Sequence, residues 1–470
     1  MQAVKARLVI CCVLVAMLAS GVACREASPA TPTAALGDAA EAEAIAAAEA
    51  FLTLLLHRDF AAAVETFDPA MTSALPPAKL EAVWSGLVSQ AGDYQTTLGS
   101  RTERQANYLI AVLTIELASL KVDMRVVFDP ATAKISGLFF APSSGVGAPS
   151  VVGYSPPSYV DPGSFSEVEV TVGVGEWSVP GTLSLPNRPM PVPGVILVHG
   201  SGPNDRDESV GASRPFRDLA GGLASRGIAV LRYDKRTLVH GAKMVGAAIT
   251  VQDEVIDDAL AAIALLRERE EVDPEQILVL GHSLGGMLAP RIALADSHLA
   301  GVIVMAGPSR PLEDLVMEQI QYLAEIDGEV TEQEKERMKM IALEVAAIKA
   351  LDAADSAFDD MILSAPVSYW LDLRQFDPVA TALTLKQPLL ILQGGRDYQV
   401  TIDDWNGWRA GLSERNDVRF KMYPSANHLF VFGEGASTPQ EYDLPGHVAA
   451  EVIDDIAQWI RSVTTAGTHR

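Results

Sequence analysis

The sequence predicts a doubly wound α/β sheet with an inserted helical cap, preceded by a small α+β domain. Three observations carry this prediction. From Phe165 onward, short continuous apolar runs alternate with helical patterns, the texture of parallel strands buried on both faces. One of those runs leads through a G-x-S-x-G turn into a helix. Ahead of Phe165, helical periodicity gives way to strand alternation, the order expected of an α+β unit.

The chain starts with a targeting pattern. Lys5 and Arg7 precede an apolar run from Leu8 to Ala19, followed by Ser20-Gly21-Val22-Ala23-Cys24. A short basic region, an apolar stretch too short for a lasting membrane span and then small residues describe a secretory signal over residues 1–24. Two outcomes stay open. Cys24 is lipidated after cleavage, as in a bacterial lipoprotein, or ordinary cleavage follows Ala23 and leaves Cys24 as the first mature residue. Gly21 stands where lipoprotein sites usually carry Leu. Either outcome implies an extracytoplasmic protein, membrane-anchored through Cys24 in the first case and secreted in the second.

Composition limits the partners. A formal charge of -24 argues against nucleic acid or an anionic membrane surface as the main partner, since both need clustered Lys and Arg. All three cysteines, Cys11, Cys12 and Cys24, lie in the leader region, so the body can form neither a disulfide nor a thiolate metal site. H-E-x-x-H, P-loop and dinucleotide fingerprints are all missing, so no metal or other cofactor is expected.

Residues 25–40, rich in Ala, Ser, Thr and Pro, read as a tether. Residues 41–141 form the small α+β domain. Its first helix carries Ile45, Ala48, Leu52, Leu55 and Leu56 on one face, and a second follows Pro76-Pro77. Strands are expected at Tyr108 to Leu117, Val122 to Phe128 and Ile135 to Phe140. His57 reads as a helix-surface residue, with no second His or Cys nearby to share a metal. Residues 142–164 are rich in Pro, Gly and Ser and read as a linker.

Residues 165–470 carry the sheet. Val168 to Val172 and Thr182 to Leu185 suggest an antiparallel lead-in. Parallel strands are expected at Val195 to Val198, Ile228 to Leu231, Ile277 to Leu280, Val302 to Met305 and Leu389 to Leu392. Residues 308–387 exceed what the sheet needs and read as a helical cap. Within it, Thr331 and Glu334 form a capping box ahead of Met338, Ile341, Val345 and Ile348. Tyr369 and Trp370 either line a pocket there or pack on the core.

Three strand ends carry the chemistry. Ile277 to Leu280 runs into Gly281-His282-Ser283-Leu284-Gly285, a sharp turn that thrusts one hydroxyl out of the backbone. Asp397 follows the run Leu389 to Leu392, and His428 follows Val418 to Tyr423. Nucleophile, acid and base thus come in the order Ser283, Asp397, His428. The loop His199-Gly200-Ser201-Gly202-Pro203 follows another strand and suits an oxyanion hole. Leu284 would supply one N–H, and Ser201 or Gly202 the other. His199 reads as a residue that shapes the loop, since the base is expected after the acid.

These motifs support a comparison with a family. His199 to Asp207, Tyr233-Asp234-Lys235-Arg236, Gly281 to Gly286, Gly395 to Val400 and Asn427 to Phe430 resemble a subfamily of bacterial α/β-hydrolase carboxylesterases. The resemblance covers about residues 165–465, and the small cone-like domain before them is similar to that subfamily's arrangement. It implies an α/β-hydrolase fold and hydrolysis of a small-molecule ester by Ser283, Asp397 and His428. Asp205, Arg206, Asp207, Asp234, Lys235 and Arg236 are expected to fix the oxyanion loop by pairing, with a direct role toward substrate as the alternative. Two other readings stay open. One is a peptidase of the prolyl-oligopeptidase type, although nothing here resembles its propeller. The other is a binding lipoprotein whose hydrolase has lost activity. Acyl-chain length and oligomeric state are not legible.

Overall fold

The computed structural model describes residues 38–105, 108–118, 121–129, 132–142, 154–189, 191–244, 248–352 and 361–467. Cys24 and the leader lie outside the described residues. The described residues divide into two compact units, the smaller comprising those up to 142 together with 241–244 and the larger the remainder.

In the smaller unit, four helices (Asp38–Leu56, Phe60–Glu65, Pro69–Ala74 and Pro77–Ala91) precede four antiparallel strands in the order β1-β2-β3-β4. The strands are β1 (Tyr94–Gln105), β2 (Tyr108–Leu117), β3 (Lys121–Phe128) and β4 (Ile135–Pro142). The first helix begins at Asp38, inside the segment read as tether. It buries Ala44, Ala48, Phe51, Leu52 and Leu55, while Leu56 faces solvent. Phe51 takes the place expected for Leu56 because it sits beside Ala48 and Leu55 on a 3.6-residue period. Strand β1 was not expected, nor were the two short helices. The sequence YQTTLGSRTERQ lacks apolar alternation, and pairing with β2 organises it instead.

The larger unit is built on an eight-stranded sheet. The strands are β5 (Phe165–Val172), β6 (Val179–Pro186), β7 (Val192–Val198), β8 (Ala229–Tyr233), β9 (Val272–His282), β10 (Gly301–Met305), β13 (Leu389–Gly394) and β14 (Val418–Tyr423). A two-residue ribbon, β11 (Met361–Ile362) with β12 (Ala365–Pro366), lies outside it. The order in the sheet is β14-β13-β10-β9-β7-β8-β6-β5. From β8 to β14 every pairing is parallel, and β5 and β6 form the expected antiparallel lead-in. Leu197, Leu280, Ile303 and Leu390 on one face pack against Phe216, Leu223, Ile456 and Trp459, in helices Pro215–Ala224 and Ala450–Gly467. Their neighbours Ile196, Val279 and Val304 are also fully buried. A strand covered on both faces must be apolar at consecutive positions, which is why these strands were legible.

The linker ends on this unit. Tyr154 donates its hydroxyl to Asp218 (2.8 Å) and Tyr159 to the carbonyl of Val448 (2.6 Å), so residues read as linker are docked by their aromatic side chains.

The inserted segment contains helices Leu312–Glu325, Glu332–Ala350, Val367–Arg374 and Pro378–Thr384. The capping box is present, with Glu334 N–H donating to Thr331 Oγ1 and Thr331 N–H to Glu334 Oε2. Val345 and Ile348 are buried along the expected face. Tyr369 and Trp370 are both buried, Tyr369 bonded to the body and Trp370 within the inserted segment. Trp370 Nε1–H donates to the carbonyl of Ile362 (2.7 Å), and Tyr369 donates to Glu254 (2.8 Å).

Candidate active site

Strand β9 ends at the elbow. Ser283 stands at φ 53°, ψ −121°, a conformation that side-chain-bearing residues rarely adopt and that is held only where the surroundings enforce it. The surroundings do so. Ser283 N–H donates to Met305 O at the end of β10 (2.9 Å), and Ser283 O accepts from Met287 N–H in the first helical turn (3.0 Å). The flanking glycines are required by space. A Cβ on Gly281 would overlap the carbonyl of Gly285, and one on Gly285 would overlap the carbonyl of Val198. Leu284 opens the helix Leu284–Ala295, so its N–H has no intrahelical acceptor and is available to a substrate oxygen.

The expected acid and base, Asp397 and His428, follow β13 and β14. His428 Nδ1 lies 2.7 Å from Asp397 Oδ2, both side chains being almost fully buried. A carboxylate partner makes Nδ1 the protonated nitrogen, which leaves Nε2 free to accept a proton. Asp397 is itself fixed: Oδ1 accepts from the N–H groups of Gln399 (2.8 Å) and Val400 (3.0 Å), and Oδ2 accepts from Gln393 Nε2 (3.3 Å). The His428 ring lies 4.7 Å, centroid to centroid, from His282, the residue before Ser283.

The loop after β7 lies against the elbow. A Cβ on Gly200 would stand 3.0 Å from Ser283 Cβ. The Gly200 N–H is already committed to Glu208 Oε1 (2.6 Å). Its carbonyl accepts from Lys235 Nζ (2.8 Å) and Asn204 Nδ2 (3.2 Å). Ser201 and Gly202, partly exposed and with Gly202 at φ 93°, remain as the candidate second donors; both stay open. His199 shapes this loop, as expected. Its ring is buried beside Phe216 and Tyr233, with Nε2 3.1 Å from Asp205 O, and burial pushes its pKa down to about 4. It is therefore neutral at pH 7 and committed to the backbone of its own loop.

The expected charge pairing around the loop is present. Arg206 forks onto Asp234 through Nε (3.1 Å) and a terminal nitrogen (3.0 Å), and also reaches Glu169 (2.6 Å). Arg232 pairs with Asp207 (2.8 Å), and Arg236 with Asp258. Asp205 caps its own loop through the N–H groups of Asp207 and Ser209. Lys235 pairs with Glu254 (2.9 Å), and Glu254 accepts from Tyr369 of the cap. The cap is tied to the acid loop as well. Gln319 Nε2–H donates to Gln399 O (2.9 Å), and the Tyr322 ring stacks on Tyr398 at 5.0 Å.

Sequence reasoning missed Glu208, Glu254 and the role of His282. The only signal for His282 was an ionisable residue ending an apolar strand, which implies a buried partner without identifying it.

Residues 195–447 match a family described as "Alpha/beta hydrolase family", and residues 48–138 match a domain described as "Protein of unknown function (DUF3887)". The chain is 38% identical over 414 residues to Esterase EstD of Thermotoga maritima, covering 88% of this chain and 94% of that one. Among solved structures it is similar to Est1E from Butyrivibrio proteoclasticus (16% identity, TM-score 0.41, 63% of this chain and 99% of that one). It is also similar to a puromycin-hydrolyzing peptidase of Mycobacterium tuberculosis (14% identity, TM-score 0.41, 77% of this chain and 46% of that one).

Proposed function

The chain belongs to the α/β-hydrolase family, and from that premise we propose that it is a serine carboxylesterase acting on small-molecule esters through an acyl-enzyme on Ser283. The observation that carries this reading is the buried Asp397–His428 pair beside an elbow that holds Ser283 at positive φ.

The reaction follows from the groups present. Ser283 Oγ attacks the ester carbonyl carbon while its proton passes to His428 Nε2. The C=O π pair moves onto oxygen, and that oxyanion is held by Leu284 N–H and one amide of the Ser201–Gly202 loop. Asp397 keeps the proton on Nδ1 and stabilises the imidazolium. As the tetrahedral adduct collapses, the C–O bond to the alcohol breaks and the alcohol leaves with the proton from Nε2. Water then repeats the sequence on the acyl-enzyme, with His428 as base and Ser283 as leaving group. The test is a series of nitrophenyl esters of increasing acyl length beside one peptide substrate. Ester hydrolysis without peptide hydrolysis supports the reading. Peptide hydrolysis without ester hydrolysis would replace it with a peptidase.

We further infer an extracytoplasmic site of action. The leader Lys5 to Ala23 supports it, and lipid on Cys24 would anchor the protein to a membrane. Metabolic labelling with a fatty acid, comparing wild type with Cys24→Ser, tests the anchor. Equal incorporation in both would reject it.

A further inference from the structure

Behind the elbow, two buried groups that the proposed reaction does not use meet the three loops that it does. Glu208 Oε1 accepts from Gly200 N–H in the oxyanion loop (2.6 Å), and Glu208 Oε2 lies 2.9 Å from His282 Nδ1. His282 is the residue before Ser283, and its Nε2 lies 2.9 Å from the carbonyl oxygen of His428. Both side chains are almost wholly buried. Glu208 thus reaches the oxyanion loop directly, and the nucleophile turn and the base loop through a single imidazole.

The chemistry of the pair is constrained. Both nitrogens of His282 face oxygen: Nε2 bonds His428 O, while Nδ1 and Glu208 Oε2 meet at 2.9 Å as an ion pair, neither having any other hydrogen-bond partner among the described residues. Burial draws the His282 pKa down, but the facing carboxylate outweighs it and holds the pKa above the usual value. Burial raises Glu208 in turn, and His282, with the Gly200 amide, brings it below the usual carboxylate range. Space is equally tight: a Cβ on Gly200 would lie 3.3 Å from Glu208 Oε1 and 3.0 Å from Ser283 Cβ. Because Glu208 Oε1 holds the Gly200 N–H at 2.6 Å, a shift of the carboxylate would move the amides next to Gly200.

We propose that Glu208 is a positioning residue, which keeps the Ser201–Gly202 amides in register with Ser283 and His428 through Gly200 and His282. This rests on the serine-esterase reading. Its loss should weaken transition-state stabilisation and leave ground-state binding alone, so the effect belongs in kcat and not in KM.

The test uses two variants of the full-length protein. Glu208→Gln keeps an oxygen for Gly200 N–H but removes the charge opposite His282. Glu208→Ala removes both links. Rates on a nitrophenyl ester are expressed per site titrated by a fluorophosphonate, so misfolded protein is not counted. For Glu208→Gln the expected result is a kcat about 10-fold down; for Glu208→Ala it is about 100-fold down, the size of losing one oxyanion donor, with KM within about twofold in both. Wild-type kcat in both variants, a loss confined to KM, or equal losses in the two would overturn the proposal. Failure of both variants to fold would assign Glu208 to stability and overturn it too. A wild-type protein that takes no fluorophosphonate would instead reject the serine-esterase reading on which the proposal stands.

Discussion

Replacing Asp397 by Asn tests the proton relay with almost no change in shape. In the native protein Oδ1 accepts from the backbone N–H groups of Gln399 and Val400, at 2.8 and 3.0 Å. An amide can keep those two bonds only by leaving its oxygen there. Its NH2 group must then occupy the place of Oδ2, 2.7 Å from His428 Nδ1. A donor in that place forces Nδ1 to give up its hydrogen, so the ring carries its proton on Nε2 and cannot accept one from Ser283. Flipping the amide would set NH2 against two N–H donors, so that escape is closed. A triad locked in the wrong tautomer loses about 10,000-fold in kcat. At ~1.36 kcal/mol per decade, that is about 5.4 kcal/mol of transition-state stabilisation. The assay is kcat on a short nitrophenyl ester, with thermal unfolding measured alongside. The expected outcome is the kcat loss with an unfolding temperature close to wild type. A folded variant that loses less than about 10-fold would refute the reasoning.

Two other predictions concern the scaffold. Lys235 and Glu254 form a buried pair at 2.9 Å, with 3% and 8% of their side chains exposed, so Lys235→Met leaves a buried carboxylate without its cation. Equilibrium urea unfolding should show a loss of about 3–5 kcal/mol, and Lys235→Met with Glu254→Leu should recover only part of it, because Tyr369 then loses its acceptor; an unchanged single variant would contradict this. His199 has its pKa depressed to about 4 against an unfolded value near 6.5, so below pH 6.5 the unfolded chain binds the extra proton. This contribution is therefore complete above about pH 6.5 and is lost as pH falls toward 4, by up to about 3 kcal/mol. His199→Gln should flatten that part of the stability profile, and an identical slope in both proteins would reject the assignment.

Much of the larger unit was legible because its central strands are covered on both faces. Ile277 to Leu280 and Leu389 to Leu392 have no room for a polar side chain, so burial is written directly into consecutive residues. Strand β1 illustrates the opposite case. Tyr94–Gln105 is held by pairing with β2, and its polar side chains carry no period that reveals this. Ser283, Asp397 and His428 could be singled out because each follows a strand legible in the sequence, apolar throughout before Ser283 and Asp397 and alternating before His428, where loop residues are free to do chemistry. Glu208 was not, since its partners Gly200 and His282 belong to different strand ends and meet only once β7 and β9 pair. Tyr369 was left open between lining a pocket and packing on the core, because its buried acceptor, Glu254, lies 115 residues away in sequence. Pairings across the fold depend on which loops are brought together, and a one-dimensional pattern carries periodicity but not that adjacency.

The central claim is that Ser283 is an activated nucleophile. Intact-mass measurement after exposure to a fluorophosphonate, followed by peptide mapping, tests it most directly. A single adduct on the wild-type protein, located on the peptide containing Ser283 and missing from Ser283→Ala, is the predicted result. A folded wild-type protein that stays unmodified, or a Ser283→Ala variant modified as readily, would contradict the account.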